Sequence, residues 1–325
     1  MNDKVLESVI EITEQKNSLA LSYSILATLS ELLPLSSAAI FHHSRRSSLM
    51  VARLNIEREK SGSKLYQWLY DQVCNSVDYQ HHLREIVFSQ QTNGQYLCSC
   101  PIPIEEHFSA EMCLILDEDP EPYRLLIDGF AKIYRNYTVI LHESERDKLT
   151  GLLNRRTLED RLRHSFAINP STVKNRLWIA ILDIDHFKMI NDHFGHMIGD
   201  EILLMFAQQM QLFFGLSPQL FRFGGEEFVI IFSTGNEEQI RQHLDGFRQH
   251  IRSHVFPRIG QLSFSAGFCS LSPGDYLPTI LDQADKALYY AKEHGRNQVH
   301  SYEQLCDDGK IATTPNTAAD DVELF

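Results

Sequence analysis

At 325 residues, with 43% hydrophobic and 22% charged side chains, the chain has room for two ordinary domains and the composition of a globular protein. Its formal net charge of −13 excludes a general nucleic-acid binder, which needs a basic face against phosphates, but leaves open a small anionic ligand held through a metal cation. No apolar run approaches the ~18 residues of a membrane span. The acidic, amphipathic start MNDKVLESVIEITEQKN lacks the features of a secretory signal, so a cytoplasmic protein is expected. Of the six cysteines (Cys74, Cys98, Cys100, Cys113, Cys269 and Cys306) only Cys98 and Cys100 are close neighbours, and all are read as reduced, mostly buried thiols.

In chain order, LALSYSILATLSELL has apolar residues at helical spacing, and SAAIFHH and SLMVARL read as strands flanking a polar SRRSS turn. SKLYQWLYDQVCNSV reads as a helix. REIVFSQ, YLCSCPIPI and AEMCLILDE read as further strands, and the segment from Pro122 to Leu149 as one long exit helix running straight into the second half. This α+β order resembles a GAF-type sensory domain, with a PAS-like domain the alternative. It predicts an N-terminal sensory and dimerisation region over 1–143.

From about 146 to 302 the predicted order is β-α-α-β-β-α-β-α-β. LWIAILDID is a buried strand and GDEILLMFAQQMQLFF an amphipathic helix. NEEQIRQHLDGFRQHIRSH and PTILDQADKALYYAKEHG are helices, while QLSFSAGFCSL and NQVHSY are strands. Beyond Glu303 the polar, acidic sequence predicts a disordered tail over 304–325.

The strands QLFRF and EEFVIIF meet across Gly224-Gly225, a pair suited to a two-residue type I′ turn with φ > 0 at both positions. Alternation along a strand predicts that Glu226 and Glu227 diverge, one toward a neighbouring strand. Asp183 and Asp185 end the buried strand LWIAILDID, and acids there need partners. Asp183 and Glu226 can converge as oxygen ligands for Mg²⁺. On these residues alone, Asp183 serves equally well as a cap of the following helix and Glu226 as a solvated turn residue.

Four segments in fixed order, DKLTGLLNRR, LDIDHFKMINDHFGHMIGD, RFGGEEF and ADKALYYAKEHGRNQV, together resemble the GGDEF family of diguanylate cyclases, with the name motif as Gly224-Gly225-Glu226-Glu227-Phe228. The resemblance implies a palm-like βαββαβ domain over 144–303, an antiparallel-containing sheet flanked by helices. It implies an enzyme that joins two GTP into cyclic di-GMP and two pyrophosphates across a homodimer. It places two Mg²⁺ (or Mn²⁺) on Asp183, the Ile184 carbonyl and Glu226, with one ion activating the 3′-hydroxyl and the other neutralising the leaving group. It assigns guanine to Asn191 and Asp200, and the triphosphate to Lys188, Lys292, Arg296 and the amides around His186 and Phe187. Lys292 and Arg296, four apart, are expected on one helical face. Glu227 and Lys188 are the further catalytic candidates. The Arg-x-x-Asp of the family's product-inhibition site is replaced by Gly215-Leu216-Ser217-Pro218, so that brake is expected to be absent.

The competing function is a silent receptor for GTP or cyclic di-GMP that signals through protein contacts; a cyclase of mixed nucleotides is a third reading. The N-terminal signal, a small molecule or a protein, is not legible in the sequence. His42, His43, His81 and His82 are read as solvated, and His193 and His196 are given no catalytic role. Trp68 with Tyr66 and Tyr70 reads as a core stripe, and Arg155-Arg156 as signal-transmitting or dimer contacts or as a salt-bridged helix start.

Overall fold

The computed structural model describes residues 2–44, 48–58, 64–74, 85–105, 108–167, 177–215, 219–233, 235–271 and 277–313. The chain divides into two compact units, Met1–Glu145 and Arg146–Phe325. No helix among the described residues is long and apolar enough to cross a membrane.

The N-terminal unit opens with helices α1 (Asn2–Thr13) and α2 (Ser18–Leu32). The Asn17 side chain caps α2 by accepting the Ala20 N–H at 2.8 Å. Six strands follow: β1 (Leu35–Ser44), β2 (Ser48–Arg58), β3 (Lys64–Cys74), β4 (Val87–Gln90), β5 (Tyr96–Glu105) and β6 (Phe108–Leu116). They form one antiparallel sheet in the order β3-β2-β1-β6-β5-β4. A 3-10 turn at Glu121–Tyr123, which contains Pro122, leads into α3 (Arg124–Glu145). Helix α3 buries Ile127, Phe130, Tyr134, Thr138, Leu141 and Glu145, a 3.6-residue stripe. That stripe and Leu21, Ile25 and Leu29 of α2 cover the sheet face carrying Ala38, Ile40, Leu54, Cys98, Met112 and Leu114. Each fully buried large aliphatic contributes about 1.5–3 kcal/mol of transfer free energy.

Four expectations for this unit are corrected. The segment from Lys64 to Cys74 is strand β3, not a helix, and pairs along its length with β2. Its aromatic and branched residues suit a strand, and the preceding strand β2 offers it a ladder that the spacing of apolar residues within the segment does not reveal. Tyr66 is therefore exposed, and Trp68 packs edge-on against Tyr23 at 5.0 Å, rather than forming a helical core stripe. The exit helix stops at Glu145, whose carboxylate is spent on Ser18, accepting its N–H at 2.5 Å and its hydroxyl at 2.8 Å. His42 and His43 are not solvated: His42 Nε2 lies 2.8 Å from Tyr134 Oη, and buried His43 lies between Ser48 Oγ (2.8 Å) and Glu111 (3.3 Å). His81 and His82 lie outside the described residues.

The C-terminal unit runs β7 (Leu153–Asn154), α4 (Arg155–Ala167), β8 (Leu177–Ile184), α5 (Phe187–Phe194), α6 (His196–Phe214), β9 (Gln219–Arg222), β10 (Glu227–Phe232), α7 (Glu237–Ser253), β11 (Val255–Phe256), β12 (Gly260–Gln261), β13 (Phe264–Leu271), α8 (Leu277–Glu293), β14 (Val299–Ser301) and α9 (Tyr302–Asp307). Its main sheet has the order β14-β13-β8-β10-β9-β7, and β11 and β12 form a small separate ribbon. Central β8 is antiparallel to both neighbours, β10 and β13, while the β13–β14 and β7–β9 pairs are parallel.

Parity along β8 organises both faces. Trp178, Ala180, Leu182 and Ile184 pack with α5, α6 and α7. Ile179 and Ile181 pack with α4, α8 and α9. Gly267 on β13 permits the α8 contact, because a Cβ there would overlap backbone atoms of Ala284, Ala287 and Leu288. The tail expected to be disordered from residue 304 is corrected in part. Ser301 caps α9, Leu305 is buried, and Glu303 accepts the Ser270 N–H at 2.7 Å. Residues 314–325 lie outside the described residues.

Candidate functional site

On β8, the odd-numbered face that carries Ile179 and Ile181 continues into Asp183. Asp183 is 6% exposed, and Lys292 of α8 reaches it with Nζ 2.9 Å from Oδ2. Directly opposite on β10, Glu227 is in register with Asp183 and thus on the same side of the sheet. Glu226 sits one residue earlier, in the loop, and its carbonyl accepts the Ile184 N–H. Both carboxyls feel the charge of Asp183 and of Lys292. Because Glu226 precedes the paired part of β10, strand alternation does not govern it.

Burial pushes the Asp183, Glu226 and Glu227 carboxyls above the ordinary carboxylate range. The charge of Asp183 adds to the rise at both glutamates, while Lys292 pulls all three back. The site is thus a crowd of acids held with one ammonium. Among the described residues, no three His, Cys, Asp or Glu side chains close into a metal centre of their own. Two carboxylates and a backbone carbonyl fit a hard cation that takes its remaining oxygens from a phosphate ligand and water.

The turn that carries Gly224 and Gly225 also departs from expectation. Neither glycine has a positive φ, and β9 and β10 are joined by a four-residue connection, not a type I′ pair. The N–H groups of Phe223 and Gly224 both donate to the Glu227 carbonyl. Gly224 is needed for space, since a Cβ there would overlap the Glu227 carboxylate. A clamp that sequence reasoning missed secures the loop. Arg222 donates from Nη2 to the Gly225 carbonyl at 2.9 Å and pairs through Nη1 with Asp147 at 3.0 Å. Burial works upward on the Asp147 carboxyl, but the Thr150 and Arg222 donors hold it below the ordinary range. Both halves of the clamp lie in recognised segments, and their opposite charges were the available signal. Nearby, Arg155 pairs with Glu159 and lies 4.5 Å over the Phe223 ring.

His186 stands at φ 59 before α5, and no side chain caps the N-terminus of that helix. Phe187 is buried and Lys188 exposed. Gly195, at φ 83, turns the chain between α5 and α6 and brings Asn191 and Asp200 to one end of the pair. Asn191 Oδ1 is buried without a hydrogen-bond partner among the described residues, and Gly199 makes its room: a Cβ there would overlap this oxygen. Asp200, exposed, supplies a second acceptor. An orphaned acceptor of this kind is costly unless a ligand donates to it. His193 stacks edge-on against Phe194, and His196 begins α6 exposed.

The expected common helical face of Lys292 and Arg296 is corrected. Helix α8 ends at Glu293, and Arg296 lies in the following turn at φ 61. Arg296 is exposed, and helical spacing does not relate it to Lys292. The window 216–218 of the missing Arg-x-x-Asp lies outside the described residues.

Residues 144–298 match the family model described as diguanylate cyclase, GGDEF domain. All but the first two residues of that match fall in the C-terminal unit. The diguanylate cyclase DgcP of Pseudomonas aeruginosa is 37% identical over 156 residues, 47% of this chain and 23% of that protein. Diguanylate cyclase DgcZ of Escherichia coli is 32% identical over 173 residues, 51% of this chain and 55% of that protein. The crystal structure of diguanylate cyclase SiaD with its activator SiaC, from Pseudomonas aeruginosa, aligns with a TM-score of 0.50 at 29% identity, over 56% of this chain and 71% of that one. The chain thus spans about half or less of these two curated relatives, and both similarities cover about half of it.

Proposed function

We propose that the protein is a diguanylate cyclase that condenses two GTP into cyclic di-GMP, with release of two pyrophosphates. What supports this reading most is the Asp183 carboxylate, paired with Lys292 and in register with Glu227 next to Glu226, within the stretch that matches the family model. Asn191 and Asp200 read guanine: the buried Asn191 oxygen and the Asp200 carboxylate accept from N1–H and N2–H₂, which adenine lacks. Lys188, Lys292, Arg296 and the first amides of α5, after His186 and at Phe187, hold the triphosphate.

The acid crowd fits divalent cations, and Asp183, the Ile184 carbonyl and Glu226 would hold two Mg²⁺ or Mn²⁺. When bound, they supply charge neutralisation at the transferring phosphoryl group and acidify the attacking hydroxyl. Glu227, its carboxyl raised by burial, is placed to take the 3′-hydroxyl proton. Each attack forms one 3′-oxygen–phosphorus bond and breaks the bond to pyrophosphate. One domain holds one GTP, so two copies meet face to face for turnover. The N-terminal unit, an antiparallel sheet packed by helices in the manner of a GAF-like sensor, controls that encounter.

Purified full-length protein incubated with GTP and Mg²⁺ and resolved by chromatography is expected to yield cyclic di-GMP. A dimeric sample that binds GTP and yields none overturns the cyclase reading in favour of the silent receptor. Added cyclic di-GMP is expected not to inhibit through the site whose Arg-x-x-Asp is missing.

A further inference from the structure

Asp185 follows Asp183 by two residues but does a different job. It is 5% exposed, and both of its carboxylate oxygens accept from protein donors. Oδ1 accepts from Ser265 Oγ at 2.7 Å. Oδ2 accepts from Ser263 Oγ at 2.7 Å and from the backbone N–H of Asn297 at 3.0 Å. Its own N–H donates to the Ser263 carbonyl at 3.0 Å. A buried carboxylate is tolerated when it is saturated in this way. One of these bonds is unlike the others, because it crosses from the end of β8 to the turn after α8.

That turn has an unusual backbone. Gly295, Arg296 and Asn297 have φ of 109°, 61° and 49°, three successive residues in the left-handed region, and only the first is glycine. Non-glycine residues leave this region unless their surroundings hold them. Here the Arg296 N–H donates to the Ala291 carbonyl at 3.0 Å, and Arg248 Nη1 donates to Asn297 Oδ1 at 3.1 Å. Asp185 supplies the charged anchor between them. The Arg296 guanidinium is left exposed, with no acceptor among the described residues.

We infer that Asp185 is a positioning residue: through the Asn297 N–H it fixes the left-handed turn that presents Arg296 to the triphosphate. The end of β8 then sets both cations of the α8 end, Asp183 by gripping Lys292 directly and Asp185 by gripping the backbone beneath Arg296. This inference rests on the proposed reading of Arg296 as a triphosphate contact.

The test is a double-mutant cycle on the full chain with Asp185→Asn, Arg296→Ala and the pair. KM for GTP, kcat and the Mg²⁺ dependence are measured for each. Asp185→Asn is expected to raise KM roughly tenfold, with kcat within about threefold and the Mg²⁺ dependence unchanged. Arg296→Ala is expected to raise KM to a similar degree, and the pair to be no worse than Arg296→Ala alone. Penalties that multiply in the pair overturn the positioning role, as does a shift of the Mg²⁺ dependence by Asp185→Asn, which would place its effect at Asp183 and Ile184. Arg296→Ala with unchanged KM removes the triphosphate reading itself, a separate failure that takes the inference with it. Should Asp185→Asn lose cooperative melting, Ser265→Ala, nearly isosteric, completes the same cycle with an expected KM rise of about threefold that vanishes beside Arg296→Ala.

Discussion

The two units each build a six-stranded sheet, yet Glu111 and Glu145 of the first fare differently from Asp183, Glu226 and Glu227 of the second. In the N-terminal unit these acids are paired inward. Glu145 takes both donors of Ser18, Tyr134 joins Ser22 and His42, and Glu111 is held by His43 and Ser99. Burial works upward on the Glu111 carboxyl, but these donors bring it below the ordinary range. In the C-terminal unit, burial and mutual repulsion leave Asp183, Glu226 and Glu227 above that range, and the Asn191 oxygen has no partner among the described residues. The contrast separates polar groups spent on folding from polar groups kept for a ligand.

The sharpest way to break this contrast is Glu226→Ala. It is expected to reduce cyclic di-GMP formation by about 10³-fold or more, followed by chromatography. The same site should gain stability when it loses charge, so Glu226→Gln and Glu227→Gln are expected to raise the thermal midpoint at neutral pH. An inactive and less stable Glu226→Gln protein would place that glutamate among the structural acids instead.

Two glycines divide along the same line. Gly199→Ala is expected to fold, because only the Asn191 side chain must move, but to raise KM for GTP by about 10–100-fold. Gly267→Ala pushes against the α8 backbone and is expected to cost roughly 3 kcal/mol by denaturant titration. Normal GTP affinity in Gly199→Ala would remove Asn191 from the nucleotide site.

In the N-terminal unit the effects are smaller and purely structural. Tyr134→Phe, which strips one hydroxyl from Ser22 and His42, is expected to cost about 1 kcal/mol. The pH dependence carries opposite signs in the two units. Glu111, lowered in the folded state, stabilises above its unfolded pKa, and that contribution disappears as pH falls through the folded value. The raised acids of the C-terminal unit bind more protons folded than unfolded, so they cost stability as pH rises from the ordinary carboxylate range through their folded values. Melting of Glu111→Gln and Glu226→Gln against the wild type from acid to neutral pH should therefore diverge in opposite directions.

Much of the C-terminal unit was legible because its elements alternate strongly in hydrophobicity and its chemistry sits in contiguous segments. Asp183, Glu226, Asn191 and Lys292 could all be named before any packing was known. What failed was each inference that carried a local rule past the end of its element. Helical spacing was applied to Arg296, which lies past the helix, and turn propensity to Gly224-Gly225, which have negative φ. In the N-terminal unit, β3 was misread because an apolar and aromatic run of this length suits a helix as well as a strand, and only its pairing with the neighbouring β2 decides between them.

The sequence by itself determined the core periodicities, the acidic and amide residues of the site, and the domain to which they belong, since these depend on residue type and near-neighbour spacing. Only the tertiary structure decided which carboxylate is spent and which is kept. Asp183 and Asp185 share a chemistry and lie two residues apart, one in β8 and one just past its end. Lys292 and two neighbouring acid side chains surround the one, whereas two serines and the Asn297 amide saturate the other. That distinction comes from donors up to 112 residues away, brought together by β13 and the turn after α8, and no spacing rule within the strand could have supplied it.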